Sequence, residues 1–499
     1  MELSQEQQIA FDKYVQGHNI FITGPGGAGK SALIKKINQH AFSRFKDIHV
    51  CALTGCAAVL LNCKAKTIHS WSGIGLGNGT IDYHINKIKC NKFAKVLWKG
   101  TDVLVIDEVS MLSLKLFTLL NAIGQTIRKN LKPFGGIQLI FSGDFYQLPP
   151  VGNRDDPDSM RFCFESPEWN HVFTRDCQIQ LVKIFRQTDE IYSTILNQIR
   201  IGKLKKKHHD ILLQYVDRPR DPNLVVEPTK LFPTKSKVEN INSTKIRSIA
   251  LPEKMYELKY LSDVKLTKME ADTFTDYSEK TIKAELDYLA GNLLCDKEVR
   301  LKIGAQVMCI VNLKSETGGG LDICNGSQGI VTSFCVETGY PIVRFNNGFE
   351  KLMQRHVWPS EKIPGIGVSQ VPLILAWALT IHKSQGATLD VAEVDAGSEI
   401  FACGQTYVAL SRVKSLEGLY LTSFDVKRIR IDKKVRDYYE LLTAYQDSVI
   451  DILPGKEHTV PLVFAEEVQI AEPVRNGNEN LFIDYQYVEA VPTILTKHI

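Results

Sequence analysis

Four short apolar runs, each followed at once by polar or glycine-rich residues, set the rhythm of the first third of the chain. Residues 19–23 (NIFIT) lead into GPGGAGKS, residues 49–53 into Thr54-Gly55, residues 103–106 into Asp107-Glu108, and residues 139–141 into Ser142-Gly143-Asp144. Continuous apolar runs of this length are the pattern of parallel strands buried on both faces. Helical stretches lie between them: over Leu114–Arg128, the residues Leu116, Leu119, Leu120 and Ile123 fall on one face. Strands alternating with helices predict an α/β architecture, and in such sheets ligands collect beyond the carboxyl ends of the strands. One nucleotide-binding domain is therefore expected over residues 1–175.

Residues 73–100 break this repeat. They are polar, with glycines and lysines throughout, and predict a small subdomain standing off the sheet. The second half returns to the α/β theme, with residues 223–234 and the run ending at Thr380-Ile381 as candidate buried strands. Between them the pattern turns charged and irregular from about Lys254, then into short β-like runs from Leu301. Turn signals at Gly318-Gly319-Gly320, Asn325-Gly326 and Asn347-Gly348 predict a small β-rich insert there. A second domain over residues 176–453, with its insertion at about 250–365, and a tail at 454–499 without any motif complete the expected layout.

With 499 residues and 44 % apolar content the chain has ample core for two to four domains. Its longest apolar run, residues 371–381, is too short to span a bilayer and contains Pro372, so no membrane association is expected. The start of the chain carries Glu2 and Glu6 in place of a basic or apolar leader. Eleven cysteines include no C-x-x-C pair, which suggests a reducing compartment, with neither a disulfide framework nor a zinc site. A net charge of +4 neither demands nor excludes nucleic acid, since one groove can be basic in a nearly neutral protein.

The segment Gly24, Pro25, Gly26, Gly27, Ala28, Gly29, Lys30, Ser31 fits G-x-x-x-x-G-K-S/T between a strand and a helix. Such a loop aims several backbone N–H groups and a helix N-terminus at one phosphate. Lys30 is expected to reach the β- and γ-phosphates and Ser31 to ligate Mg²⁺. Asp107 and Glu108 supply one carboxylate for the metal and a neighbour for the attacking water. Gln147 in GDFYQLPPV is a candidate phosphate sensor, its alternative being a turn residue before two prolines. Arg186 and Arg412 can reach the phosphates only if a second domain closes over the first. Ser4 and Gln7 spell a helix capping box, which competes with any reading of Gln7 as an adenine contact. For nucleic acid the candidates are Thr54, Thr67, His69, Ser70, Trp71, His382, Lys383 and Ser384, which combine hydroxyls, imidazoles and one aromatic in strand-end loops. The run KLKKKHH at 203–209 reads as a solvated helix face.

In order along the chain, LSQEQ, GPGGAGKS, TGCAAVLL with TIHSWSGIG, DEVSM, FGGIQLIFSGDFYQLPPV, LVKIFRQ, LTIHKSQGATLD and YVALSRV resemble the petite-integration-frequency (PIF) family of DNA helicases. That family forms part of the 5′-to-3′ branch of superfamily 1, related to RecD. Residues 116–140 resemble a signature of this family that generic phosphate-loop ATPases lack. The resemblance implies two RecA-like domains with ATP between them and single-stranded DNA across their tops. It implies that residues 73–100 are a wedge and that the β-rich insert is SH3-like. It assigns adenine to Gln7, assigns γ-phosphate sensing to Gln147, Arg186, Gly386 and Arg412, and places His69, His382 and Ser384 on DNA.

The expectation is a helicase that acts on single strands and single–double strand junctions as a monomer, alongside replication or repair proteins. The family's larger members carry long N-terminal regions, whereas here the first motif begins at residue 3, so a core-only version in the nucleus or cytoplasm, including that of a virus-infected cell, is expected. Two rivals remain open at this point. One is a translocase or nuclease-complex motor without unwinding. The other is a binding module switched by ATP, against which the intact Asp107-Glu108 pair argues.

Overall fold

The computed structural model describes residues 3–450 apart from 62, 64, 76, 78, 188, 223, 263–276, 315–320, 361–362, 364 and 398–399; the 454–499 tail and the triple glycine at 318–320 lie outside the described residues. The apolar runs become β1 (Ile20–Thr23), β2 (Ile48–Ala52), β3 (Lys66–Thr67), β4 (Val103–Asp107), β5 (Gln138–Gly143) and β6 (Gln178–Gln180). They form one parallel sheet in the order β3-β2-β4-β5-β1-β6. Strand alternation splits its core in two. Ile20, Ile22, Val103, Val105 and Ile140 pack with Ala10 and Tyr14 of α1 (Gln5–Val15) and with Leu33, Ile34 and Ile37 of α2 (Lys30–Ser43). Phe21, Leu104, Ile106, Leu139 and Phe141 pack with Phe117 and Leu120 of the helix Leu114–Arg128 and with Trp169 and Phe173.

The second of these layers is completed from the far end of the chain. Val435, Tyr438, Tyr439 and Leu442 of the helix Lys433–Ile450 join it, at the i, i+3, i+4, i+7 spacing of one helical face. The boundary expected at 175 therefore stops short of β6, and a helix assigned to the second domain belongs to the core of the first.

Residues 73–100 do not stand off the sheet as the polar composition suggests. Their helices Ile81–Cys90 and Lys92–Gly100 bury Ile85, Ile88, Ala94 and Trp98 in the layer built on Leu114–Arg128. Arg128 stitches the two segments together, donating from Nη1 to the carbonyls of Trp98 (2.7 Å) and Lys99 (2.9 Å) and from Nε to Gly135 (2.8 Å). A Cβ on Gly124 would lie 2.5 Å from the Phe134 backbone, so the turn at Pro133–Gly136 needs glycine there to dock. The family-like signature at 116–140 thus has a packing cause.

A second parallel sheet orders Ala378–Thr380, Thr229–Phe232, Ala392–Ala396 and Leu419–Phe424 side by side. Between its first two strands in the chain lies the β-rich insert. It contains a five-stranded antiparallel sheet from Gln306–Cys309 to Leu373–Leu375, ten residues past the expected end at 365, and the helix Glu279–Asn292. In the run 203–209 the four lysines are exposed, but Leu204 and His208 are buried and only residues 206–209 lie in a helix, Lys206–Leu213, so the solvated helix face is only part of the run.

Candidate active site

The loop after β1 turns on glycines in the left-handed region, Gly24 (φ 145°), Gly27 (86°) and Gly29 (82°). Close approach adds to the requirement: a Cβ on Gly24 would sit 2.4 Å from the Leu181 carbonyl, and one on Gly27 would sit 2.4 Å from the Arg186 Cβ. Lys30 opens α2, and its Nζ lies 2.7 Å from the Gly24 carbonyl and 3.0 Å from that of Pro25. Burial draws its pKa down, opposed by the carboxylates of Asp144, Glu108 and Asp107.

Those carboxylates come from the tips of β4 and β5. Asp107 is buried, which raises its pKa. Glu108 adopts φ 58°, ψ 39°, a strained conformation for a non-glycine residue of the kind found at functional sites. Burial first, then the charge of Asp107, push Glu108 up to about 7, the range suited to a general base near neutral pH. Gln147 is buried in the turn after β5, its N–H bonded to the Asp144 carbonyl at 2.9 Å as the turn reading has it, and the side-chain amide of Gln385 donates to its Oε1 at 3.4 Å and to Glu108 Oε2 at 3.0 Å. Gln385 escaped the sequence reading. Its neighbour Gly386, expected in the shell, is exposed at φ 83°.

Two arginines lie over the loop, Arg412 from the second unit and Arg186 from the segment that links the units after β6. Arg412 is 2 % exposed, held by Nε to the Val408 carbonyl (2.8 Å) and Nη2 to Ser411 Oγ (2.7 Å). Burial and the adjacent Arg186 lower its pKa to about 9. Arg186 Nη1 donates to the Ser411 carbonyl at 3.3 Å. A Cβ built on Gly26 would find Arg412 at 3.6 Å and Arg186 at 3.7 Å, so both guanidiniums converge on one loop residue. Three further contacts close this seam. Tyr407 Oη accepts from Gly26 N–H at 2.8 Å, and Gly404 packs so tightly that a Cβ would lie 2.4 Å from the Gln147 carbonyl. Asp144, fully buried, takes bonds of 2.8 Å from both Nε and Nη2 of Arg200. Arg200 lies over the rings of Tyr146 and Tyr439, and Tyr439 Oη is 2.5 Å from Thr23 Oγ1 at the end of β1.

At Gln7 the capping box forms, and the side chain also reaches the phosphate loop. Its Oε1 accepts from Ser4 N–H at 2.9 Å, so the capping box is real, while its Nε2 lies 3.4 Å from the carbonyls of Ala28 and Gly29. Phe185, half exposed, flanks the same Gly29. An amide and an aromatic face therefore border the phosphate loop together.

The candidate nucleic-acid residues divide. Thr67 and Thr380 each end a strand and N-cap a short helix, accepting from Ser70 (3.2 Å) and Lys383 (3.1 Å). The sequence Thr-Ile-His thus recurs in equivalent geometry on the two units, with His69 partly exposed and His382 exposed. Thr67 Oγ1 also meets Tyr288 Oη of the insert at 2.5 Å. Ser70 and Lys383 are partly exposed, and Thr54 caps its own turn through Ala57 N–H. Trp71 must be withdrawn as a stacking platform, because its ring is fully buried with its centroid 4.6 Å from that of Trp98. Ser384 is likewise buried and donates to the Ile381 carbonyl.

A phosphate loop on one RecA-like unit, faced by Arg412 of another and by Arg186 of the segment between them, defines a two-domain P-loop nucleoside triphosphatase motor. Residues 2–210 match the PIF1-like helicase family and residues 286–334 the 2B domain of the DNA helicase Pif1. The ATP-dependent DNA helicase RRM3 of Saccharomyces cerevisiae is 33 % identical over 88 % of this chain and 68 % of its own. The crystal structure of Pif1 helicase from Candida albicans aligns with a TM-score of 0.68 at 33 % identity, covering 89 % of this chain and all of that one. Pif1 from Bacteroides in complex with ADP-AlF3 and ssDNA aligns at 0.56 and 28 % identity, covering 90 % and 98 %. The chain belongs to the PIF1-like helicase family, and with it to the ATP-dependent DNA helicases. It spans about two thirds of the length of the yeast relative.

Proposed function

We propose that this chain couples ATP hydrolysis to 5′-to-3′ movement along single-stranded DNA and to separation of the duplex ahead of it. The observation that carries this reading is the bond from Gln385 to Glu108, which makes the hydrolytic carboxylate depend on closure of the second unit, the unit that also carries His382. Chemistry at the seam and grip on the strand then change together. Parting one base-pair step costs about 1.4 kcal/mol of stacking on average, well within the reach of one hydrolysis.

Lys30 and the N–H groups of the loop hold the phosphates; Glu108 orients and deprotonates water; Gln147, Arg186 and Arg412 stabilise the charge spread over the transferring phosphoryl group. Ser31 and Asp107 offer hard oxygen donors of the kind Mg²⁺ takes beside phosphate and water oxygens, so the residues present fit that ion. Mg²⁺ would neutralise phosphate charge there. The helices of 73–100 form the wedge, and their seat on Leu114–Arg128 keeps them rigid against the motor.

Strand separation on duplexes with either a 5′ or a 3′ single-stranded tail tests the proposal, with Lys30→Ala as control. Opening of the 5′-tailed substrate alone is expected. DNA-stimulated ATPase activity with no opening of either substrate would replace unwinding by translocation, and opening of the 3′-tailed substrate alone would reverse the polarity.

A further inference from the structure

The ring of Tyr407 is 3 % exposed, in the helix Gln405–Leu410 of the second unit, yet its hydroxyl makes its hydrogen bond to the first unit, accepting from Gly26 N–H at 2.8 Å. Gly26 is the residue over which Arg186 and Arg412 converge, and the direction of its missing Cβ points to all three groups: Arg412 Nη2 at 3.6 Å, Arg186 Nη1 at 3.7 Å and Tyr407 Oη at 3.7 Å. Two of the three are cations, suited to an anion. The third is neutral and has a proton to give, since a phenol that accepts one bond through a lone pair keeps its own O–H for donation. Burial raises the Tyr407 pKa to about 12, so the hydroxyl carries that proton at any working pH.

We propose that Tyr407 is a specificity-determining residue for the γ-phosphate: its O–H donates to a terminal phosphate oxygen while its lone pair retains Gly26 N–H. This distinguishes a nucleoside triphosphate from a diphosphate. The two arginines, both bonded to Ser411, supply positive charge at the same point, and Tyr407 adds to their discrimination. Tyr407 is the neutral group that spans the seam to the loop backbone itself. Loss of the γ-phosphate leaves the hydroxyl with Gly26 alone and weakens the hold between the units, so the contact also reports hydrolysis to the second unit. The inference rests on the ATP-driven reading above.

The test is equilibrium binding of a fluorescent non-hydrolysable ATP analogue and of fluorescent ADP to the full chain, comparing wild type, Tyr407→Phe and Lys30→Ala. Tyr407→Phe keeps the ring and removes only the hydroxyl. It is expected to weaken the triphosphate analogue about tenfold or more, the scale of one hydrogen bond to a charged group, and to leave ADP within twofold. Lys30→Ala is expected to weaken both nucleotides. Tyr407→Phe binding the analogue as wild type does, or losing both nucleotides equally while its unfolding midpoint is unchanged, overturns the assignment. A fall in midpoint with equal loss of both ligands also overturns it, by reducing Tyr407 to a packing residue. A wild-type chain without preference for the triphosphate would also overturn the assignment, whereas one that binds neither nucleotide would reject the underlying ATP-driven reading, so the two failures are distinguishable.

Discussion

The side-chain amide of Gln385 donates to Glu108 Oε2 across the seam between the two RecA-like units, at 3.0 Å. The carboxylate proposed above to activate water is thereby bonded to a residue 277 positions away in the chain. Removing the amide should leave nucleotide binding nearly intact while releasing Glu108. Gln385→Ala is expected to lower DNA-stimulated kcat by about 10- to 100-fold, the value of one hydrogen bond to a charged group, with KM for ATP within about threefold. Steady-state ATPase assays read both; an unchanged kcat would remove Gln385 from the mechanism.

Glu108 titrates near 7 against an ordinary glutamate value of 4.5, because burial and the charge of Asp107 favour its neutral form. The folded chain therefore binds this proton more tightly than the unfolded chain, and from about 4.5 to about 7 stability falls as pH rises. Glu108→Gln should consequently raise the unfolding midpoint at pH 8 by about 2 °C or more, lose that gain near pH 4.5, and cut hydrolysis by about 10²-fold or more. Thermal melts at the two pH values check the first part. In the wild type, kcat/KM should climb with pH to a plateau above about 7.

Arg200 and Asp144 form a bidentate pair whose side chains are 6 % and 0 % exposed. Deleting one member leaves the other charged and buried, at a cost of about 3–5 kcal/mol. Arg200→Ala should lower the unfolding midpoint far more than Lys414→Ala, whose partner Asp390 is exposed enough to be solvated. Arg200→Ala paired with Asp144→Asn should cost less than the sum of the two, since the second change removes the stranded charge. Additive losses would mean the pair is not coupled.

Trp71→Phe should bind single-stranded DNA within about twofold of wild type, because the indole packs on Trp98 in the core. Trp71→Ala should instead destabilise by about 3–5 kcal/mol. Fluorescence anisotropy and thermal melts separate the two effects, and a tenfold loss of DNA affinity in Trp71→Phe would restore the stacking role.

Local conformation was legible in the sequence and long-range partnership was not. GPGGAGKS could be read because its backbone needs glycine at fixed places, and the strands because a short uninterrupted apolar run ending in polar residues suits a strand covered on both faces. Trp71 misled because an aromatic among hydroxyls and imidazoles looks solvent-facing until the short helix Ile68–Ser72 turns it inward. The face of Val435, Tyr438, Tyr439 and Leu442 marks a helix at once, yet nothing in its spacing says which unit it covers. Gln385 and Tyr407 lie inside motifs that could be recognised, but their partners Glu108 and Gly26 are supplied by the other unit.

The chain crosses between the units twice, once after β6 and once before the helix Lys433–Ile450 returns to the first core. A body tethered at one point can swing in any direction, whereas one tethered at two points turns about the line joining them. Rotation about the line joining the two crossings is the motion that stretches neither connection, so a second tether narrows the ways in which the seam can open.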